Sequence, residues 1–113
     1  MGAKSRRKGV RGELEAAAEL RRLFGVEARR GRQFQGTDES PDVQVDIPEV
    51  HFEVKRTEAL RLYEALAQAA DDAGDNVPVV LHRANRKPWV AIVPLDDLPR
   101  LAVQLYLTLA ANA

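Results

Sequence analysis

Apolar residues recur at helical spacing at the start of the chain and again after its middle. Residues 10–24 have one apolar stripe at this spacing, formed by Val10, Leu14, Ala17, Leu20 and Phe24. Residues 58–73 predict a second helix, with Thr57 as its cap and Gly74 as its stop. Its predicted buried stripe consists of Ala59, Leu62, Tyr63, Leu66, Ala69, Ala70 and Ala73.

Alternation of apolar and polar residues predicts strands in the rest of the chain. Residues 26–30, 43–47 and 49–55 form three short runs, with Pro48 as the interruption between the last two. Residues 77–82 and 89–94 are strongly apolar and flank a basic turn. The predicted order is therefore helix, three strands, helix, two strands, helix.

The last helix is predicted to begin after Asp96 and Asp97, with Pro99 in its first turn. It is more apolar than one face of a monomer requires, so we expect it to contact a second subunit. Its apolar residues are Leu98, Leu101, Ala102, Leu105, Tyr106 and Leu109.

Residues 41–55 combine strand patterning with convergent charges. One face of the second run carries Val50, Phe52 and Val54, which predicts a core face. The other face carries His51, Glu53 and Lys55. If the two runs pair as a hairpin, Asp42 reaches this polar face. Two carboxylates and an ammonium at one sheet edge are a poor structural element and a good metal site.

Glu13 interrupts the apolar stripe of the first predicted helix, where it lies between Val10, Ala17 and Leu20. A carboxylate on an apolar face is unfavourable unless it is paired or binds a metal. Glu13 is therefore either paired with Arg21 or another cation, or belongs to the Asp42 site. We favour the site because the Asp42 group needs a further neighbour.

Composition limits the class of protein. A chain of 113 residues that is 45% hydrophobic is large enough for one core. It contains no cysteine, so disulfides and thiolate metal sites are excluded. No apolar run approaches the ~18 residues of a membrane span, so we expect no membrane insertion.

The net charge is zero, but the charges are unevenly distributed. Residues 1–36 contain ten Lys or Arg against four Glu, and the rest of the chain is acidic. We predict a basic flexible N-terminal arm over residues 1–10, a single domain over residues 11–113 and a mobile surface loop over residues 31–40. The basic clusters attract phosphate without reading sequence, although a solvated tail is an equal alternative for the arm. Their members are Lys4, Arg6, Arg7, Lys8, Arg11, Arg29, Arg30 and Arg32.

A helical Glu13, then Pro41-Asp42, then Glu53-Val54-Lys55 followed by a helix, resembles the PD-(D/E)XK nuclease superfamily. Within it, residues 5–95 look like the archaeal-type Holliday junction resolvases and small resolvase-like nucleases of phages. The resemblance implies an α/β fold with a restriction-endonuclease-like αβββαβ core. That core has a mixed central sheet flanked by helices, and the last helix would be an addition to it.

The resemblance also implies roles for individual residues. Asp42, Glu53 and the Val54 carbonyl would bind the metal, with Glu13 as an additional acidic residue. Lys55 would orient or activate the attacking water and stabilise charge on the phosphate. Mg²⁺ suits such oxygen ligands, and we expect Mn²⁺ to substitute.

Three further residues match the family less closely. Resolvase relatives use a hydroxyl residue before the Pro-Asp pair, and either Thr37 or Ser40 could correspond to it. Gln68 resembles a glutamine on the helix after the Glu-X-Lys motif, although it lies opposite the predicted apolar stripe.

The resulting hypothesis is a Mg²⁺-dependent DNA endonuclease that resolves four-way junctions as a homodimer. Its basic residues, with Thr37, would grip the DNA backbone by shape. We expect it in the cytoplasm of a bacterium or a phage-infected cell. One alternative is a nuclease of the same fold that acts on nicks, flaps or ends. Another is a non-catalytic nucleic-acid-binding module whose acidic cluster is structural.

Overall fold

The structure is a computed structural model that describes residues 3–31 and 42–113, and for residues 3–8 the backbone alone. The chain is an α/β protein, and its elements follow one another in the predicted order. The three helices are α1 (Ala3–Phe24), α2 (Leu62–Ala73) and α3 (Leu98–Ala111), the last preceded by a 3-10 helix at Leu95–Asp97. The five strands are β1 (Ala28–Arg30), β2 (Val43–Val45), β3 (Val50–Arg56), β4 (Val77–Arg83) and β5 (Val90–Ile92).

The strands form two sheets within the described residues, where we predicted one central sheet. A mixed sheet has the order β3-β4-β5, with β3 parallel and β5 antiparallel to β4. The second sheet is the antiparallel pair of β1 and β2. The parallel connection from β3 to β4 passes through α2, which is the usual way to join parallel strands.

The predicted hairpin between β2 and β3 is wrong, because β2 pairs with β1 instead. The turn between the two strands contains Pro48, which offers no backbone N–H, and Glu49 in a left-handed conformation with φ of 63°. The Asp42 side chain also accepts the Val54 N–H at 2.8 Å, which removes that donor from backbone pairing.

The core occupies both faces of the mixed sheet. The larger cluster joins α1 and α3 to the face that carries Phe52, and Val50 and Val54 pack against it as predicted. The smaller cluster lies beneath α2, where Ala65 and Ala69 contact Val80 of β4. Because Val80 is paired in register with Glu53, α2 covers the face of β3 that carries the polar residues.

Helix α1 is longer than predicted, since it extends back to Ala3 and includes most of the segment predicted as an arm. Its buried face is also rotated, because Leu14 is 54% exposed whereas Ala16 is buried. A Cβ on Gly12 would lie 2.5 Å from Arg56 Cβ, so the helix meets β3 through this glycine. Small residues at positions 12 and 16 allow this close approach and turn Leu14 outward.

Helix α2 begins at Leu62, later than predicted, and Thr57 does not cap it. The Thr57 hydroxyl instead donates to the Ala59 carbonyl. The buried stripe is narrower than predicted and consists of Ala65, Ala69 and Ala73, whereas Tyr63 is 85% exposed. Gly74 ends the helix with φ of 60°, as expected for a glycine stop.

Helix α3 has Pro99 in its first turn, as predicted, but its N-terminal Asp97 makes no side-chain capping bond. Leu101 and Thr108 are its buried residues. Much of the predicted stripe is exposed, and this apolar surface carries Leu98, Val103, Tyr106, Leu107 and Leu109. Among the described helices, none has the length and apolar character needed to cross a membrane.

Candidate metal centre

The centre of the candidate site is a buried pair on β3. His51 and Glu53 are two residues apart on the strand, so both side chains project from the face beneath α2. His51 Nε2 lies 2.9 Å from Glu53 Oε1, and each side chain is only 6% exposed. We predicted these two residues on one polar face, and α2 shields that face from solvent.

Helix α2 supplies polar partners at a matching spacing. Gln68 and Asp72 are four residues apart on the helix, which is about 6 Å along its axis. Lys55 and Glu53 are two residues apart on β3, which is about 7 Å. Lys55 Nζ donates to Gln68 Oε1 at 3.4 Å, while Asp72 lies near Glu53. The strand and the helix therefore run in opposite directions with their polar residues in register.

Asp72 completes a group that could hold a metal ion. One ligand atom from each of His51, Glu53 and Asp72 lies within 4.8 Å of the others. The set offers one imidazole nitrogen and two carboxylates, a donor chemistry that fits a divalent cation. Asp72 is not among the residues predicted from the sequence, and His51 was not predicted as a ligand. The useful signal was that Gln68 and Asp72 share one face of a helix.

The charge balance at Glu53 is unusual. Burial is the largest influence on the pKa of Glu53 and raises it, Asp42 and Asp72 raise it as well, and the His51 hydrogen bond lowers it, so that the pKa is about 7. Within residues 3–31 and 42–113, the Glu53 carboxylate has no ion pair with a lysine or arginine. The site thus has excess negative charge that a proton or a metal ion can balance.

Asp42 joins this group from β2. Its Oδ2 atom accepts the Val54 N–H at 2.8 Å, between Glu53 and Lys55 in sequence. The N–H and C=O of one strand residue point to the same side, so the Val54 carbonyl also points towards Asp42. The geometry thus brings together Asp42, the Val54 carbonyl and β3, the elements that the resemblance assigned to metal binding.

Glu13 is neutralised within the chain. Its Oε2 atom accepts a hydrogen bond from Arg30 Nε at 2.7 Å, and its side chain is 16% exposed. Burial raises the pKa of Glu13, Arg30 lowers it, and Asp42 raises it slightly further. Glu13 is therefore paired with a cation, Arg30 instead of Arg21, and because the Asp42 charge also acts on it, its assignment to the site stays a prediction. Arg21 donates to the Ala28 carbonyl instead.

Lys55 borders an open pocket of about 190 Å³ next to the buried group. Thr57, Arg61, Glu64 and Gln68 also line this pocket. Gln68, whose correspondence to the family glutamine was doubtful, is therefore the residue that contacts Lys55.

The predicted DNA-binding residues have different positions. Arg11 is exposed on α1. Arg30 is paired with Glu13, and Arg29 donates to Gln44 at 3.1 Å, so both are engaged within the protein. The remaining predicted residues lie outside the described part of the chain or have side chains outside it, namely Lys4, Arg6, Arg7, Lys8, Arg32, Thr37 and Ser40. All of the predicted mobile loop except Gly31 also lies outside the described residues.

No protein-family model matches the chain, and the comparisons with curated proteins and with solved structures found no match. The nuclease resemblance therefore depends on the residues themselves, above all on Asp42, Glu53 and Lys55.

Proposed function

We propose that the protein is a Mg²⁺-dependent DNA endonuclease of the PD-(D/E)XK type that resolves four-way junctions. One observation carries this proposal. Asp42, which immediately precedes β2, accepts a hydrogen bond from the backbone N–H of Val54 on β3, between Glu53 and Lys55 in sequence. A carboxylate pair beside an ammonium is the arrangement that metal-assisted phosphodiester hydrolysis requires.

Each residue has a chemical role in this proposal. Asp42, Glu53 and the Val54 carbonyl would hold Mg²⁺, which would lower the pKa of its bound water and polarise the phosphoryl group. Lys55 orients the attacking water and stabilises the charge that develops on the phosphate oxygens. Gln68 holds the Lys55 ammonium through the 3.4 Å contact. Glu13 has a supporting role only, because Arg30 already neutralises it.

The nuclease resemblance implies a four-way junction as the substrate, and charge and symmetry support the DNA contact and the dimer. The basic N-terminal helix, including exposed Arg11, would contact the DNA backbone without reading its sequence. Two symmetric cuts in a four-way junction require two active sites, which a two-fold dimer supplies. The exposed apolar residues of α3 support a subunit contact of this kind.

Cleavage of labelled DNA tests this function. Purified protein is incubated with a four-way junction or a matched linear duplex, in Mg²⁺ or in EDTA. We expect symmetric cuts in the junction alone, abolished by EDTA and by Glu53→Ala. Lys55→Ala should slow cleavage by about 100-fold or more, as expected for loss of a transition-state contact. Lys87→Ala removes an exposed lysine from the turn between β4 and β5 and should cleave normally.

Other outcomes distinguish the alternatives. Equal cleavage of duplex and junction, or cutting of nicks, flaps or ends, would retain the nuclease and discard junction specificity. DNA binding without cleavage in Mg²⁺ would favour a non-catalytic module. The near-complete burial of Glu53, which is 5% exposed, is the observation that favours this second candidate.

A further inference from the structure

Glu53 of β3 and Asp72 of α2 have no permanent cationic partner within the described residues. Glu53 and Asp72 lie close enough to share one ion, and Lys55, the nearest lysine along β3, donates to Gln68 instead. Among residues 3–31 and 42–113, the recorded ion pairs include none between Asp72 and a lysine or arginine. Glu53 is buried and Asp72 is half-buried, so holding the two carboxylates together without a counter-charge is unfavourable.

We infer that His51, Glu53 and Asp72 form a binding site for a first-row transition-metal dication such as Mn²⁺ or Zn²⁺, in preference to Mg²⁺. This inference goes beyond the proposed function, because the ion would bind whether or not the chain cleaves DNA. It also differs in its ligands, since His51 and Asp72 are not part of the proposed Mg²⁺ site.

The donor set determines the preference. Mg²⁺ prefers oxygen ligands and retains several waters, whereas imidazole nitrogen suits Zn²⁺ and other transition metals. His51 Nε2 already lies 2.9 Å from Glu53 Oε1, so the ion would replace the proton between these two atoms. Two carboxylates provide the negative charge that balances a dication.

The strand and the helix that carry the three ligands are both held in place by neighbouring elements. His51 and Glu53 are consecutive inward positions of β3, which is paired along its length with β4. Asp72 is held by α2, whose alanine stripe packs directly against Val80. Three protein ligands leave at least one coordination position for water, as in catalytic rather than closed structural sites.

Direct metal binding tests the inference. Protein stripped of metal with EDTA and dialysed is titrated with Mn²⁺, Zn²⁺ or Mg²⁺ by calorimetry, and its melting temperature is measured with each ion. We expect Mn²⁺ and Zn²⁺ to bind more tightly than Mg²⁺ and to raise the melting temperature more at equal concentration. Equal or tighter binding of Mg²⁺ would overturn the inference.

The chain provides matched controls for two of the three ligands, His51 and Asp72. It contains only two histidines, and the second, His82, contacts the Thr57 carbonyl instead of the carboxylates. His51→Gln should weaken Mn²⁺ and Zn²⁺ binding by about 10-fold or more, whereas His82→Gln should leave it unchanged. Asp72→Asn should also weaken binding, and Asp71→Asn, at the exposed neighbouring position, should not. Unchanged affinity in both His51→Gln and Asp72→Asn would overturn the site.

Two further measurements keep the result interpretable. Circular dichroism and melting in EDTA identify any variant that fails to fold. If His51→Gln fails to fold, Asp72→Asn takes its place in the test. Mg²⁺-dependent cleavage by the same proteins separates this inference from the proposed nuclease. Cleavage without a preference for transition metals would overturn only the inference. Selective Mn²⁺ or Zn²⁺ binding without cleavage under any condition would support the inference and overturn the nuclease.

Discussion

Two carboxylates of this protein are removed from solvent, and they are balanced in different ways. Glu13 of α1 contacts Arg30 of β1, and together they form the α1–β1 ion pair. Glu53 of β3 instead contacts His51 and lies near Asp72, and these three residues form the β3–α2 cluster. Burial raises the pKa of both carboxylates, but only Glu13 has a permanent cation beside it.

The difference separates a structural carboxylate from one available for ligand binding. Arginine stays charged over the physiological pH range, so Arg30 gives Glu13 a counter-charge from within the chain. Glu53 needs a proton or a metal ion, because its other neighbours, Asp42 and Asp72, are acidic. The β3–α2 cluster is therefore a better candidate for metal binding than Glu13, which the sequence had assigned to the site.

The largest expected effect is on the pH dependence of stability. The pKa of Glu53 is about 7 in the folded protein and near 4.5 when unfolded, so the folded state holds its proton more tightly. The free energy of unfolding should therefore fall as pH rises from about 4.5 to about 7, by up to about 3 kcal/mol from this group. Glu53→Gln should remove this fall, as measured by urea denaturation in EDTA between pH 5 and pH 8.

Glu13→Gln is the control for this experiment. It leaves Glu53 intact, so the fall in stability with pH should persist, reduced only by the contribution of Glu13, whose pKa is also raised. If Glu53→Gln and the unmodified protein had equal pH dependence, Glu53 would have a counter-charge as effective as the one that Arg30 gives Glu13.

The next prediction concerns a substitution that perturbs the packing of α1 on β3 and leaves the β3–α2 cluster intact. Gly12→Ala places a Cβ against Arg56 of β3, which forces α1 away from the strand beside Glu13. We expect a loss of about 1–3 kcal/mol in the free energy of unfolding. Metal binding by the β3–α2 cluster should persist, since α2 covers the opposite face of the sheet. Thermal melting and calorimetry measure the two properties.

Gly9→Ala is the matched substitution in the same helix. Nothing lies within 4 Å of a Cβ at this position, so the substitution should stabilise the protein by about 0.5–1 kcal/mol. Stabilisation by both alanines would show that α1 does not meet β3 at Gly12.

The smallest effect tests the α1–β1 ion pair itself. Arg30→Gln removes the cation beside Glu13 and should lower the free energy of unfolding by about 1 kcal/mol or less, because Arg30 is 44% exposed. Arg29→Gln removes an exposed arginine that contacts only Gln44 and should change stability by less than about 0.5 kcal/mol. Equal values for the two variants, in urea denaturation at pH 8, would show that the ion pair contributes nothing.

Local patterns were sufficient for much of the fold. The order of helices and strands follows from apolar periodicity, and Gly74 and Pro99 mark helix boundaries where the structure has them. The alternation along β3 also predicted that Phe52 faces the core and that His51 and Glu53 share the other face. Each of these properties depends only on residues within one element, so the sequence of that element is sufficient to predict it.

Partners across the sheet and across helices were not predictable in this way. The pairing of β2 with β1 depends on the turn at Pro48 and on Asp42, whose side chain occupies the Val54 N–H. The rotation of α1 depends on Gly12 meeting β3, which made Leu14 an exposed residue. Such contacts join residues that are distant in sequence, and the periodicity of one element does not specify them.

The candidate site likewise contains residues that the sequence predicts and residues that only the packing of separate elements brings together. Asp42, Glu53 and Lys55 could be assigned from sequence because charged residues in short strands are conspicuous by type and spacing. Asp72 could not, since nothing local indicates that α2 lies antiparallel to β3 with its polar residues in register. The sequence alone determined which side chains carry charge and on which face of an element they lie. Only the tertiary structure decided that Arg30 neutralises Glu13 and that Glu53 faces Asp72, because both depend on how separate elements pack.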